Sequence, residues 1–378
     1  MKVRWITLEN FRNHAHSELA CAEQANIFLG ENGAGKTNVV EAVGYLCLTR
    51  SFYASSERTV IQVGQERFRV GGEMVSDRGT SFRISIRFDA LSSEKSFQVN
   101  GTAASSLAGI IGKFPVVVAS PEHHNVTFGA PADRRKFLDL VIAQASPVYV
   151  EDLMEYRSAL RQRNKLLLAA KLSGKGVSET MESWDEALIT RGARVMQRRR
   201  EFLVEFKPVL SEAYARIGGK GEDPSVEYES AVGLADAGSV EEIRQAFRKA
   251  LEETKEGELR MGTTLAGPHR DELLLELDGL ELRKFASQGQ HKTFLVALKL
   301  AEFEYLRHQC HETPILILDD VFSQLDRGRS ERLFESVQNL GQIFMTTTDE
   351  GVFPAGVLRA PGNKAFRVTE GAVIDAEA

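Results

Sequence analysis

Apolar and polar residues alternate through most of the first 118 positions, and the alternation then stops. "VRWITLENF" has the period of a strand, and "NIFLG" is a short apolar run ending on glycine, the pattern of a buried strand entering a turn. "NVVEAVGYLCL" switches to helical spacing at Val39, Val40, Val43 and Leu46. "RFRVGGEMV", "FRISIRF" and "SFQVNGTAA" read as a meander of antiparallel strands with a hairpin turn at Asn100-Gly101, and "KFPVVVAS" as another buried strand. From Asp133 the pattern becomes helical and charged. It predicts helices over 131–145, 148–171, 179–217 and 239–255, broken by the glycines of "KLSGKG" and "RIGGKGEDP". Leu153, Tyr156, Leu160, Leu167 and Leu210 recur at near-helical spacing and are assigned to the core of this helical segment. After residue 258 the chain returns to strands and then to a strand–helix–strand order. The expectation is an α/β head, 1–118 with 258–378, interrupted by a helical arm, 119–257.

Composition narrows this only slightly. The chain has 378 residues, 43% apolar and 26% charged, ordinary for a globular protein of two or three domains. A net charge of −6 excludes a wholly basic nucleic-acid binder, so a polyanion site must be a local patch. Cys21, Cys47 and Cys310, an odd set without a CxxC pair, argue against a disulfide framework or a zinc site and fit a reducing cytoplasm. The first residues lack a signal-peptide core, and no window reaches the roughly 18 apolar residues that span a bilayer; no membrane association is expected.

The sharpest chemistry lies at Gly30-Glu31-Asn32-Gly33-Ala34-Gly35-Lys36-Thr37, a full GxxxxGK[ST] match between a predicted strand and a predicted helix that begins around Asn38. The glycines let backbone N–H groups close around phosphate oxygens, and the helix N-terminus adds partial positive charge. Lys36 is expected on the β/γ-phosphates and Thr37 on Mg²⁺. "PILILDD" supplies the partner: an apolar strand ending in Asp319 and Asp320 at the edge where open α/β sheets hold ligands. Asp319 is expected to reach Mg²⁺, and Asp320 to orient the attacking water on ATP.

The two motifs are nearly 300 residues apart, and no guanine-type NKxD motif appears, which calls for a large insertion. Ahead of the second motif, Ser287-Gln288-Gly289-Gln290 resembles the signature of ABC ATPases and opens a long amphipathic helix. In those proteins it binds the γ-phosphate held by the other protomer, so the resemblance implies an ATP-sandwiched homodimer. "VFSQLD", ending at Asp326, resembles a D-loop, and "IFMTTTDE" a final strand with Thr347 or Thr348 where transporters carry histidine.

"LENFRNH", "GENGAGKTNVVEAVGYLCLTRSF", "SPEHHNVTFGAPADRRKFLD", "SALRQRNKLLL", "GPHRDEL", "FASQGQHKTFLVALKLAE" and "LILDDVFSQLD" occur in the order of the RecF family, which the chain resembles over most of its length. The resemblance implies an ABC/SMC/Rad50-like ATPase head with an inserted arm. It also implies a clamp on double-stranded DNA beside single-stranded gaps, closed by ATP and reopened by slow hydrolysis. RecR is the implied partner, with RecO and RecA acting downstream. His291-Lys292, His123 and Gln324 depart from the family pattern without touching a phosphate-loop residue.

Arg12 and Asn13 follow the first strand and could reach the nucleotide phosphates or sit in a solvated turn. Glu122 could sense the nucleotide or cap a helix. His269-Arg270-Asp271 could lie near the active site, near the arm junction or in a structural salt bridge. Two arm stretches lack acids. One, within Tyr156–Ser178, contains Arg157, Arg161, Arg163, Lys165, Lys171 and Lys175; the other, within Ala187–Arg200, contains Arg191, Arg194, Arg198, Arg199 and Arg200. Arg157, Arg161, Arg163, Lys165 and the five arginines of the second run are the candidate DNA contacts; the alternatives are a solvated helix face or a docking site for an acidic partner. The rival functions are a transporter ATPase subunit, which should carry the switch histidine, and a nuclease-coupled motor, which should carry a long heptad insertion with a zinc hook.

Overall fold

The computed structural model describes residues 1–54, 56–104, 106, 108–173, 181–217, 221–234, 238–322, 327–353 and 356–376. Asp326, most of the expected D-loop and Lys175 lie outside them. In chain order the elements are β1 (Lys2–Phe11), β2 (His14–Ala20), β3 (Ala25–Leu29), α1 (Lys36–Leu48), β4 (Arg67–Val75), β5 (Ser81–Asp89), β6 (Glu94–Val99), β7 (Thr102–Ala103) and β8 (Val116–Ala119). Then come α2 (Asn125–Phe128), α3 (Pro131–Ala145), α4 (Pro147–Ser173), α5 (Met181–Ile217), β9 (Pro224–Glu229), α6 (Val240–Met261), β10 (Glu272–Leu277), β11 (Leu280–Glu281) and α7 (Leu282–Phe285). Last are α8 (Gln288–Cys310), β12 (Ile315–Asp319), α9 (Arg327–Val337), β13 (Ile343–Thr347), β14 (Lys364–Thr369) and β15 (Ala372–Asp375).

The chain forms two compact units. One comprises Met1–Thr127, Val209–Glu222 and Ala286–Ala378; the other comprises Phe128–Pro208 and Asp223–Phe285. These limits differ from those expected at 118, 119, 257 and 258. β8 pairs with β12, so the chain through Thr127 stays with the first unit. The last turns of α5 also belong there: Tyr214 meets Phe294 of α8 edge to face at 6.1 Å. The second unit carries its own three-stranded sheet, β11-β10-β9, which extends it to Phe285. A change of hydrophobic period marks a change of element, and here it does not coincide with a change of unit. Leu210 is therefore buried in the first unit, whereas Leu153, Tyr156 and Leu167 are buried in the second.

The first unit layers two six-stranded sheets about α1. The antiparallel sheet has the order β2-β1-β4-β5-β6-β7, and Asn100 and Gly101 take positive φ (51° and 80°) in the β6–β7 turn, as an Asn-Gly hairpin requires. The other has the order β15-β14-β3-β13-β12-β8, parallel from β14 to β8. Both faces of α1 meet strands, which is why its sequence is apolar almost all round. Phe11, Tyr45 and Phe68 interlock edge to face at 5.5–5.9 Å on one side of it.

In the second unit Tyr156, Leu188, Ile189, Met196, Ile243 and Phe247 share one core. Gly192 is needed there, since a Cβ would fall 2.6 Å from the Phe247 ring. α6 starts at a Ser239–Glu242 capping box and stops at Gly262 (φ 75°). No helix among the described residues is long and apolar enough to cross a membrane.

Candidate functional site

β3 delivers the chain into the Gly30–Gly35 loop, and α1 leaves it at Lys36. Gly30, Gly33 and Gly35 have φ of 157°, 81° and 113°. At Gly30 a Cβ would lie 2.3 Å from the Val368 carbonyl oxygen, and at Gly35 one would lie 2.6 Å from Asn13 Oδ1. The loop is therefore pressed against its neighbours at two of its three glycines. The Lys36 ammonium donates to the carbonyls of Gly30 (2.9 Å) and Glu31 (2.8 Å), folding back over the loop. Burial lowers its pKa, and the charges of Asp320 and Asp319 oppose that shift.

β12 brings Asp319 to the same end of the sheet although β13 separates it from β3. The Thr37 hydroxyl donates to Asp319 Oδ1 at 2.9 Å, so two residues 282 positions apart meet. The β12–β13 register sets Thr346 beside Asp319, and its hydroxyl donates to the same oxygen at 2.6 Å. Tyr53 donates its phenol to Asp319 Oδ2. Asp320 takes a left-handed conformation (φ 51°), and its N–H donates to Thr346 Oγ1 at 2.9 Å.

Asn13 Nδ2 donates to the Ala34 carbonyl (3.1 Å), and its Oδ1 accepts from Asn38 Nδ2 (2.7 Å). His14, fully buried, lies 3.1 Å from the Gly35 carbonyl. Arg12 forks onto the buried carboxylate of Glu41 in α1 at 2.7 and 2.8 Å and donates to the Thr59 carbonyl at 3.0 Å. The turn after β1 thus holds the loop and its helix.

A sequence model of the RecF/RecN/SMC N terminal domain matches residues 2–360. The DNA replication and repair protein RecF of Salinibacter ruber (strain DSM 13855 / M31) is 40% identical over 375 residues, covering 98% of this chain and 91% of that protein. The chain belongs to the RecF family. The RecF of Chlorobium luteolum (strain DSM 273 / BCRC 81028 / 2530) is 37% identical over 94% of this chain and 96% of its own length. A solved structure described as the recombination mediator protein RecF-ATPrS in the RecFOR pathway superposes with a TM-score of 0.91 at 30% identity, covering 99% and 98% of the two chains. An SMC head superposes at 0.56 with 13% identity, which identifies the fold. The first unit is accordingly an α/β P-loop head of the ABC/SMC type. These near full-length relatives leave the transporter reading without support.

In this RecF-family chain Ser287 is the N-cap of α8. Its hydroxyl accepts the Gln290 N–H (3.3 Å), and the Gln290 side chain accepts the Ser287 N–H (2.8 Å). Gln290 also donates to Glu222 (2.9 Å), which accepts from Tyr214 (2.6 Å). Gly289 lies under the Arg329 guanidinium, 2.7 Å from where a Cβ would be. Among the described residues no hydrogen bond or ion pair joins Ser287, Gln288, Gly289 or Gln290 to Lys36, Thr37 or Asp319. Glu122 is exposed in the turn Pro121–His124.

The arm arginines need correction. Arg163 is buried, bonded to Glu258 (2.7 Å), Asp185 (2.6 Å) and Thr264 (2.9 Å). Arg199 is buried on Asp139 (2.7 Å) and the Pro268 carbonyl (2.7 Å), with Asp271 at 3.5 Å. Neither can reach a phosphate backbone. Arg157, Arg191, Arg194 and Arg198 are paired with Asp139, Asp152, Glu155 and Glu201. The two stretches lack acids in sequence, but their neighbours supply them in space. Asp271 of the "GPHRDE" segment is part of this structural network: it also accepts from the Tyr228 and Ser230 hydroxyls and the Ala231 N–H.

Sequence reasoning missed Tyr53, Thr346, His14 and Glu41. Each reaches the site across a turn or a sheet register, and no local pattern marks it.

Proposed function

We propose that this chain is an ATP-dependent DNA-binding ATPase of recombinational repair. The observation that carries the reading is the meeting of Thr37 and Asp319 beside the glycine loop. A hydroxyl and a carboxylate 2.9 Å apart, with a lysine over the loop, form the oxygen donor set that suits Mg²⁺ bound with a nucleoside triphosphate. Such a metal would neutralise charge on the β- and γ-phosphates. Thr37 would ligate it and Asp319 would hold it directly or through water. Lys36 and the loop N–H groups would bind the phosphates, with Glu31, Asn32, Ala34 and Asn38 framing them and Arg12 and Asn13 fixing the loop from below. Asp320 would orient water for slow hydrolysis.

Ser287 with Gln288, Gly289 and Gln290 would complete the site of a second copy. The capping box leaves them on a helix N-terminus with, among the described residues, no hydrogen bond or ion pair to Lys36, Thr37 or Asp319, which suits a contribution in trans. ATP would then close two heads as a clamp on double-stranded DNA near gaps. The relatives named RecF, and the RecFOR pathway to which a solved relative is ascribed, support RecR and RecO as partners, and RecA loading would be the outcome. On the arm, the DNA reading rests on the α4 stripe Arg161 and Lys165, exposed and spaced i and i+4, with Arg200 kept from the second run. A fluorescent gapped duplex titrated with the protein should bind more tightly with ATP and Mg²⁺ than with EDTA, and Lys36→Met should erase the difference. Equal affinity in all three cases would overturn the reading.

A further inference from the structure

We propose that Tyr53 is a positioning residue for Asp319, setting that carboxylate for magnesium–nucleotide binding; the proposal rests on the ATP-site reading above. Asp319 is 1% exposed, and both of its oxygens accept hydrogen bonds. Oδ1 accepts from Thr37, in the first turn of α1, and from Thr346, near the end of β13. Among the described residues the Tyr53 phenol is the donor to Oδ2. The two hydroxyls on Oδ1 already resist rotation about the Cβ–Cγ bond; the phenol on Oδ2 adds a donor to the second oxygen and fixes both ends of the carboxylate.

The phenol is itself held in place. After α1 the chain turns back at Thr49 (φ 57°). Ser51 then accepts the N–H groups of Tyr53 (2.9 Å) and Ala54 (2.6 Å) and donates to the buried Glu41, which Arg12 clamps. Phe52 fills the space a side chain at Gly44 would occupy, since a Cβ there would lie 2.7 Å from its ring, and the Phe52 and Tyr53 rings touch with centroids 4.8 Å apart. A turn fixed at Ser51 and Phe52 thus aims one hydroxyl at one carboxylate oxygen. It also joins Arg12 to Asp319 through Glu41, Ser51 and Tyr53.

The test is equilibrium binding of a fluorescent ATP analogue to the full chain, first in EDTA and then across a Mg²⁺ titration. Tyr53→Phe keeps the ring against Phe52 and removes only the hydroxyl. Wild type and Tyr53→Phe should bind the analogue equally in EDTA, and the variant should need about tenfold more Mg²⁺, the effect of one charge-assisted hydrogen bond. Ser51→Ala should shift the titration the same way by less. In an Asp319→Asn background Tyr53→Phe should add nothing. A Tyr53→Phe titration superimposable on a Mg²⁺-responsive wild type overturns the proposal and leaves the ATP site intact. An equal loss with and without Mg²⁺ also overturns it, because that marks a general packing role. A wild type whose analogue binding ignores Mg²⁺ and survives Lys36→Met overturns the ATP site and this proposal together.

Discussion

Arg163→Ala should unfold the second unit far more readily while leaving DNA affinity to other residues. The side chain is 4% exposed and makes three bonds, to Glu258, Asp185 and Thr264. Their loss is unequal. Asp185 is 32% exposed and can turn to water, and Thr264 keeps its hydroxyl bond to Asn164 (2.7 Å). Glu258 is 1% exposed and keeps one backbone donor, the Leu265 N–H at 2.8 Å. The cost is therefore that of leaving one carboxylate buried without its counter-charge, about 3–5 kcal/mol. The chain's two tryptophans fall one in each unit, Trp5 in β1 and Trp184 in α5, so Trp5→Phe makes fluorescence report the second unit alone. At a urea slope of about 2 kcal/mol per M the midpoint should drop by about 2 M. Arg163→Met with Glu258→Leu, which removes both charges, should recover much of the loss. A midpoint shift below about 0.5 M, or a fall in DNA affinity with the midpoint unchanged, would refute the assignment of Arg163 to the core.

Three further outcomes follow from the same geometry. Burial holds the His269 imidazole at about 4 against an ordinary 6.5, outweighing its bond to the Thr264 carbonyl. Between those values the unfolded chain binds the proton first, so the second unit should lose about 1.4 kcal/mol per pH unit as pH falls from 6.5 toward 4, and His269→Gln should flatten that slope in Trp184-monitored urea melts. Gly30→Ala forces a Cβ to 2.3 Å from a backbone oxygen and should cost at least about tenfold in nucleotide affinity; Gly33→Ala meets nothing within 4 Å and should cost only the ~1 kcal/mol of its left-handed conformation, as read by nucleotide titration. Charge reversal of Arg161 and Lys165, exposed on α4, should weaken duplex binding and lower its salt slope by about 2 with no change in urea midpoint; an unchanged slope removes the stripe from the DNA surface.

The phosphate loop was legible because its chemistry is local: glycines, a lysine and a threonine must follow one another, and they do. Asp319 was legible because an apolar run ending in two acids marks a buried strand end. The strands β4 and β5 and the helices α3 and α4 followed from period alone. Tyr53 was hidden because its role arises where a turn after α1 crosses to β12, and Thr346 because it depends on the β12–β13 register. The arm arginines misled for the opposite reason. Local sequence displayed their charge, but the acids that cancel it, Asp139, Asp152, Asp185 and Glu258, lie outside both runs. The unit boundary was hidden because α5 runs through it as one helix; Pro208 sits at the boundary but does not end the helix.

The central claim is that ATP joins two heads, each Lys36 site completed by the other chain's Ser287. Molar mass by light scattering, with and without ATP and Mg²⁺, tests it on wild type, Lys36→Met and Ser287→Arg. ATP should double the mass of the wild type and leave both variants monomeric. A wild type that stays monomeric with ATP, or a Ser287→Arg chain that dimerises as the wild type does, would contradict it.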